Sequence, residues 1–223
     1  MVQLFSRIRM ALLVAGCVTA LVGCAGSVAP EVQRLPERVE LSGTFYRGEA
    51  NQSGPQVLAS LLSQQGIVIT PGLLEKPLHL PGAEDKLQQN MQNLAREYGM
   101  VVYPVDARLP ALLTQVAAGY PVMVRFSEGS AFWAEPRYAI LSGYDRKKQK
   151  VLLRAGMNRR ELMSFSSFES ALEKSGGWAV LIQKPTQIPA SVDRPRWLKA
   201  ADELAQAGQE REAAQARKAL EAK

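Results

Sequence analysis

The spacing of apolar residues changes at Gly119, and that change limits what the chain can fold into more than any other feature. Before it, apolar residues recur at helical intervals. Val57, Leu58, Leu61 and Leu62 make one stripe, and Leu87, Met91, Leu94, Ala95 and Tyr98 make another. Ser53-Gly54-Pro55 opens the first helix with a good N-cap residue and a proline tolerated in the first turn, and Gly66 closes it. Asp85 is expected to cap the second helix, which stops at Gly99. Residues 101–105 read as a short strand and residues 109–118 as a third helix. Beyond Gly119 the pattern turns to strands, expected at 122–126, 138–144, 150–154, 161–164 and 178–183. Asp145-Arg146-Lys147-Lys148 is the turn of a hairpin between the second and third, and residues 165–174 form a helix before the last. Helices first and an antiparallel sheet second define an α+β domain.

The N-terminus sets the compartment. Residues 1–23 carry Arg7 and Arg9, then an apolar run over 10–22. That run is shorter than the roughly 20 apolar residues a bilayer-spanning helix needs, so it reads as a secretion signal. Leu21-Val22-Gly23-Cys24 resembles the lipobox of bacterial lipoproteins. The resemblance implies cleavage before Cys24 and a lipid on its thiol. Ala25, where an aspartate would favour retention in the inner membrane, implies the outer membrane, with the domain facing the periplasm. Acyl chains contribute about 0.8 kcal/mol per buried CH2, so a multiply acylated Cys24 anchors stably. Residues 24–40, with Pro30 and Pro36, are expected to be a tether.

Only two cysteines occur, Cys17 inside the signal and Cys24 at the lipid site. The exported domain is therefore expected to hold no free thiol, no disulfide and no thiolate metal ligand. His79 is the single histidine, so neither a metal nor a cofactor is expected. With Arg7 and Arg9 gone, the whole-chain charge of +6 falls to +4. The basic residues are interspersed with acids, so nucleic acid is not an expected partner.

Residues 185–195 contain three prolines and are expected to be a linker. Residues 196–223, rich in Ala, Glu, Gln and Lys and broken at Gly208, are expected to be a helical hairpin. Trp197, Leu204, Gly208, Ala213 and Ala219-Leu220 resemble one tetratricopeptide unit. A lone unit cannot bury its apolar face unaided, and a plain amphipathic pair folded against the main domain fits the same pattern.

Two segments resemble the bacteriocin-processing (double-glycine leader) peptidases. Residues 51–62, Asn-Gln-Ser-Gly-Pro followed by a small and apolar helix, are similar to their nucleophile helix, which begins Cys-Gly-Pro. Residues 137–145, Arg-Tyr-Ala-Ile-Leu-Ser-Gly-Tyr-Asp, are similar to their histidine strand. The resemblance implies a papain-like fold over residues 41–184. Matched residue by residue, Ser53 stands at the nucleophile position and Arg137 at the base position. Arg154-Ala155-Gly156 stands where a group orienting the base belongs. The oxyanion glutamine is missing upstream, where Arg47-Gly48-Glu49 stands, and Gln52 is adjacent to the nucleophile position instead.

That chemistry needs a thiolate and a base to take its proton. A serine hydroxyl depends on the base still more, and an arginine, with a pKa above about 12, cannot serve. No catalytic residue is therefore expected. Gln52, Ser53, Arg137 and Arg154 are the candidates for a ligand cleft, made cationic by the arginines and suited to an acidic peptide or a C-terminal carboxylate. The bland alternatives are a helix cap for Ser53 and a solvent-facing sheet edge for Arg137. The expected function is a peptidase-like lipoprotein that binds a peptide or envelope protein. Scaffolding through the C-terminal helices, and hydrolysis by Ser53, are the alternatives.

Overall fold

The computed structural model describes residues 29–49, 53–128 and 135–222. The signal, Cys24 and Gln52 lie outside the described residues. Residues 31–223 form one unit. Its elements, in chain order, begin with a helical turn α1 (Pro30–Gln33), strand β1 (Arg38–Glu40), α2 (Ser53–Gln64), α3 (Pro71–Glu75) and α4 (Leu87–Glu97). Then come β2 (Val101–Pro104), α5 (Leu109–Ala117), β3 (Val122–Glu128), β4 (Glu135–Asp145), β5 (Lys150–Ala155) and β6 (Asn158–Ser164). The chain closes with α6 (Phe165–Lys174), β7 (Ala179–Gln183), α7 (Arg194–Gln206) and α8 (Glu210–Glu221).

The strands form one seven-stranded antiparallel sheet, six of them in the order β2-β7-β3-β4-β5-β6 and the seventh, β1, paired with β4. β4 is long enough to serve two neighbours along one edge. Its first part pairs with β3, from Glu135 to Leu141, and its end pairs with β1, from Gly143 to Asp145. On one face, Tyr138 and Ile140 of β4 and Met123 of β3 share a core with Val57, Leu58, Leu61 and Leu62 of α2 and Met91 and Leu94 of α4. Each such aliphatic side chain contributes about 1.5–3 kcal/mol on burial. On the other face Val122, Val124, Leu141 and Leu153 are fully buried, and α5 and α6 pack against β3 and its neighbours.

Gly54 sets the distance between α2 and α4. A methyl group there would meet Leu87 Cδ2 at 2.9 Å and Met91 Sδ at 3.1 Å. The backbone of α2 can approach α4 this closely because position 54 carries no side chain.

Four expectations are corrected. The tether ends before residue 40, because Val32 is fully buried and β1 is an edge strand hydrogen-bonded to β4. Three residues, Arg-Val-Glu, are too few to show a period of two. Asp85 does not cap α4; it sits inside a 3-10 turn (Glu84–Lys86) with no side-chain cap bond. The linker ends at Asp193, two residues earlier than expected, because α7 begins at Arg194. The Gln115 amide donates to the Ala190 carbonyl at 2.8 Å and accepts from its N–H at 3.0 Å, and the Asp193 amide donates to the Tyr103 hydroxyl at 3.0 Å. Prolines keep this stretch out of the sheet, yet side chains pin it. β4 and β6 also begin three residues earlier than expected, since the exposed β6 start Asn-Arg-Arg has no apolar alternation to read.

The C-terminal helices form the expected hairpin, turning at Gly208 with φ +84°, and it packs on the main domain. Trp197 is fully buried, 6.0 Å from the Tyr103 ring, and its Nε1 donates to the Ala216 carbonyl at 2.8 Å. Arg96 of α4 pairs with Glu203 of α7 at 2.5 Å. Gln209 donates to the Glu97 carbonyl at 2.8 Å. Among the described residues no helix is long and apolar enough to cross a membrane.

Candidate functional site

Ser53 begins α2 and is 3 % exposed. Its hydroxyl oxygen accepts a hydrogen bond from the Tyr138 backbone N–H on β4, at 3.1 Å. The two segments singled out by sequence therefore meet, helix start against strand. The bond they make is a structural one: a backbone amide donates to Ser53 Oγ and has no capacity to take its proton.

Tyr138 lies on the α2 face of β4, so the preceding residue, Arg137, is directed to the opposite face. There the Arg137 guanidinium carbon stands 5.3 Å from the centre of the Phe126 ring, directly across the β3–β4 ladder. Its Nη2 is 4.0 Å from Glu161 Oε1 on β6, and both side chains are about 15 % exposed. Arg137 thus neither lies open to solvent at a sheet edge nor extends over the Ser53 hydroxyl. It is packed between an aromatic ring and a carboxylate.

Arg154 pairs in register with Ile140, two residues along from Tyr138, which puts it on the α2 face. Its guanidinium donates to the Leu41 carbonyl, tying the segment after β1 to the sheet. Burial lowers its pKa, with Arg159 acting the same way and Glu40 against it; an arginine stays charged regardless. The two arginines expected to make one cationic cleft therefore occupy opposite faces of the sheet. Gln52 lies outside the described residues. His79 is an exposed turn residue after α3, with φ +60°.

The side chains beside Ser53 are aromatic and apolar. Tyr138 meets Trp178 edge-to-face, with ring centroids 5.7 Å apart at 87°. Leu87 and Met91 close over Gly54. Burial pushes the Tyr138 phenol above its ordinary pKa, partly offset by Arg125, so it stays protonated at neutral pH. Among the described residues no group of three or more His, Cys, Asp or Glu is placed to hold a metal ion. The Tyr138–Trp178 pair was missed by sequence reasoning. The tyrosine of the strand motif carried the only signal for it.

No protein-family model matches the sequence, and no curated protein matches it. Among solved structures the chain is similar to one described as a C39-like peptidase from Bacillus anthracis, with TM-score 0.50 and 15% identity over 67% of this chain and 98% of that one. A second similar structure is the peptidase domain of Streptococcus ComA, a bifunctional ABC transporter of a quorum-sensing pathway, with TM-score 0.47 and 16% identity over 67% of this chain and 100% of that one. At such identity the likeness is one of fold. The α+β domain described above is thus a papain-like fold of the kind found in C39-like peptidases.

Proposed function

We propose that this chain is a lipid-anchored envelope protein of the bacterial outer membrane, facing the periplasm, whose peptidase-like domain binds a peptide or protein partner without cleaving it. The observation that carries the non-catalytic part is the partner of Ser53. The oxygen at the nucleophile position accepts from the Tyr138 amide, and the residue at the base position is an arginine engaged with Phe126 and Glu161. A serine without a proton acceptor is a weak nucleophile. Burial adds to this, because an oxyanion forming at a 3 % exposed hydroxyl loses most of its hydration.

Binding rather than chemistry is supported by what the site offers. Trp178, half-buried with the buried Tyr138 ring set edge-to-face against it, supplies rigid aromatic area, the kind of surface that anchors a ligand at low entropic cost. The anchor reading rests on Leu21-Val22-Gly23-Cys24. The scaffolding alternative loses support from the first hairpin helix, which packs on β2 with Trp197 buried against Tyr103.

Selection of a random-peptide library on the protein tests the binding. The expected result is a peptide family whose affinity falls at least tenfold in Trp178→Ala. Enrichment of no peptide, or of peptides indifferent to Trp178→Ala, would remove the support for this site. For the anchor, mass spectrometry of the processed protein is expected to show acylation of Cys24, and Cys24→Ser to abolish membrane fractionation.

A further inference from the structure

We infer that the buried polar stripe of α2 is a peptide groove, filled in this structure by the chain's own residues 41–49 and open to a partner segment with the same Gly-x-x-Tyr-x-Gly pattern. The inference rests on the peptide-binding reading above and gives it a groove. From Ser53 to Leu62 every residue of α2 is buried, yet the helix is not apolar all round. Ser53, Gln56, Ser60, Ser63 and Gln64 recur at intervals of three or four and so share one face. Ser53, Gln56 and Ser60 are 5 % exposed or less. A helix ordinarily turns such a face to water. Here residues 41–49 cover it, and they belong to no helix or strand.

The covering segment runs antiparallel to the helix and is held mainly through its backbone. The Gln64 amide donates to the Ser42 carbonyl at 3.1 Å, the Tyr46 N–H donates to Ser60 Oγ at 3.3 Å, and Gly48 lies over Gln56. From the sheet side the Arg154 guanidinium donates to the Leu41 carbonyl, and the Gly48 N–H donates to the Gly156 carbonyl at 3.3 Å. One side chain adds an anchor, the Tyr46 hydroxyl donating to the Ile69 carbonyl at 2.8 Å. Main-chain bonds of this kind hold a peptide whatever its sequence, and the walls then select among side chains. A methyl at Gly43 would meet Gln64 Oε1 at 2.6 Å and Arg154 Nη1 at 2.8 Å, and one at Gly48 would meet Gln56 Nε2 at 1.6 Å. The groove therefore asks for two glycines with the tyrosine between them.

The resident segment satisfies this groove incompletely. Gln56 Oε1, Gln64 Oε1 and Arg154 Nη1 are buried and have no hydrogen-bond partner among the described residues. They belong to the three side chains that close on the two glycines. Polar atoms buried without partners weaken the contact that buries them, which makes the segment a displaceable occupant. The stripe ends at Ser53, whose oxygen accepts from the Tyr138 amide, so the groove leads to the Tyr138–Trp178 pair.

The test uses residues 24–223 with Cys24→Ser and a synthetic peptide of residues 41–49. In wild type the tethered segment competes at high effective concentration, so Gly43→Ala/Gly48→Ala, which crowds it out, is expected to bind the peptide about tenfold or more tightly than wild type does. The same peptide carrying Tyr46→Ala is expected to bind that variant about tenfold more weakly. Hydrogen exchange on wild type needs no variant: excess peptide is expected to speed exchange at the protein's own Tyr46 and Gly48 amides about threefold or more, because it takes their place. Should the double variant not fold, this exchange decides. Equal binding by variant and wild type, no binding to a folded variant, or exchange unmoved by excess peptide overturns the inference. A wild-type dimer that the peptide dissociates assigns the groove to a second copy's segment and overturns it as well. Library peptides that depend on Trp178 while the 41–49 peptide stays unbound remove the groove and leave the peptide-binding reading standing, so the two failures are distinguishable.

Discussion

Replacing Trp197 by alanine removes the wedge between the C-terminal hairpin and the rest of the unit. The indole is fully buried, lies against Tyr103 with the rings tilted at 47°, and donates to the Ala216 carbonyl. Truncating a buried tryptophan costs about 3–5 kcal/mol in lost transfer energy and cavity. For a chain of this size each kcal/mol moves the midpoint by roughly 2–4 °C, so Trp197→Ala should melt about 6–20 °C below wild type. Trp197→Phe keeps most of the ring and loses chiefly the bond to Ala216, worth about 1 kcal/mol, so its shift should be roughly a quarter as large. Thermal unfolding followed by circular dichroism reads both. Limited proteolysis supplies an independent readout, since the Gln115–Ala190 bonds that pin residues 185–195 loosen when the hairpin lifts. A Trp197→Ala protein that melts with wild type and resists protease equally would show that the hairpin is not docked as described.

Gly54→Ala should destabilise by about 1–3 kcal/mol, because the new methyl meets Leu87 and Met91 at 2.9 and 3.1 Å and pushes α4 away from α2; urea unfolding checks it, and Gly72→Ala, where nothing stands within 4 Å, should cost no more than a few tenths. Glu40 titrates low, at about 2, through its hydrogen bonds with Arg160 and Arg38. Because the folded value lies below the unfolded one, its contribution is present above about pH 4.5 and disappears as pH falls through about 2. Exposure limits that contribution to well under 1 kcal/mol. Glu40→Gln should therefore lower the melting temperature slightly at neutral pH and match wild type near pH 2.

Much of this architecture was legible in the sequence, and the failures have physical causes. The α2 stripe ending near Gly66, the α4 stripe ending near Gly99 and the helix Phe165–Lys174 are all read from local periodicity and terminators. β1 was not legible, because its identity lies in pairing with Gly143–Asp145, a hundred residues on. The site divides in the same way. That Ser53 and the strand beginning at Arg137 come together follows from the motifs, and the Tyr138–Ser53 bond realises it. Which face of β4 looks at Ser53 does not follow from them. It is set by Tyr138 and Ile140 entering the helical core, and once that is fixed, alternation sends Arg137 to Phe126 and Glu161. The partner of Arg154 was not legible for a like reason, since the carbonyl it serves, Leu41, is remote in sequence.

The central proposal is that no proton acceptor among the described residues serves Ser53 on this papain-like scaffold, and peptide-bond cleavage tests it most directly. Incubating the purified protein with a mixed peptide library and reading new termini by mass spectrometry, alongside Ser53→Ala, should give identical and background cleavage from both at neutral and alkaline pH. Specific cleavage by wild type that vanishes in Ser53→Ala, with both variants equally folded, would contradict the account.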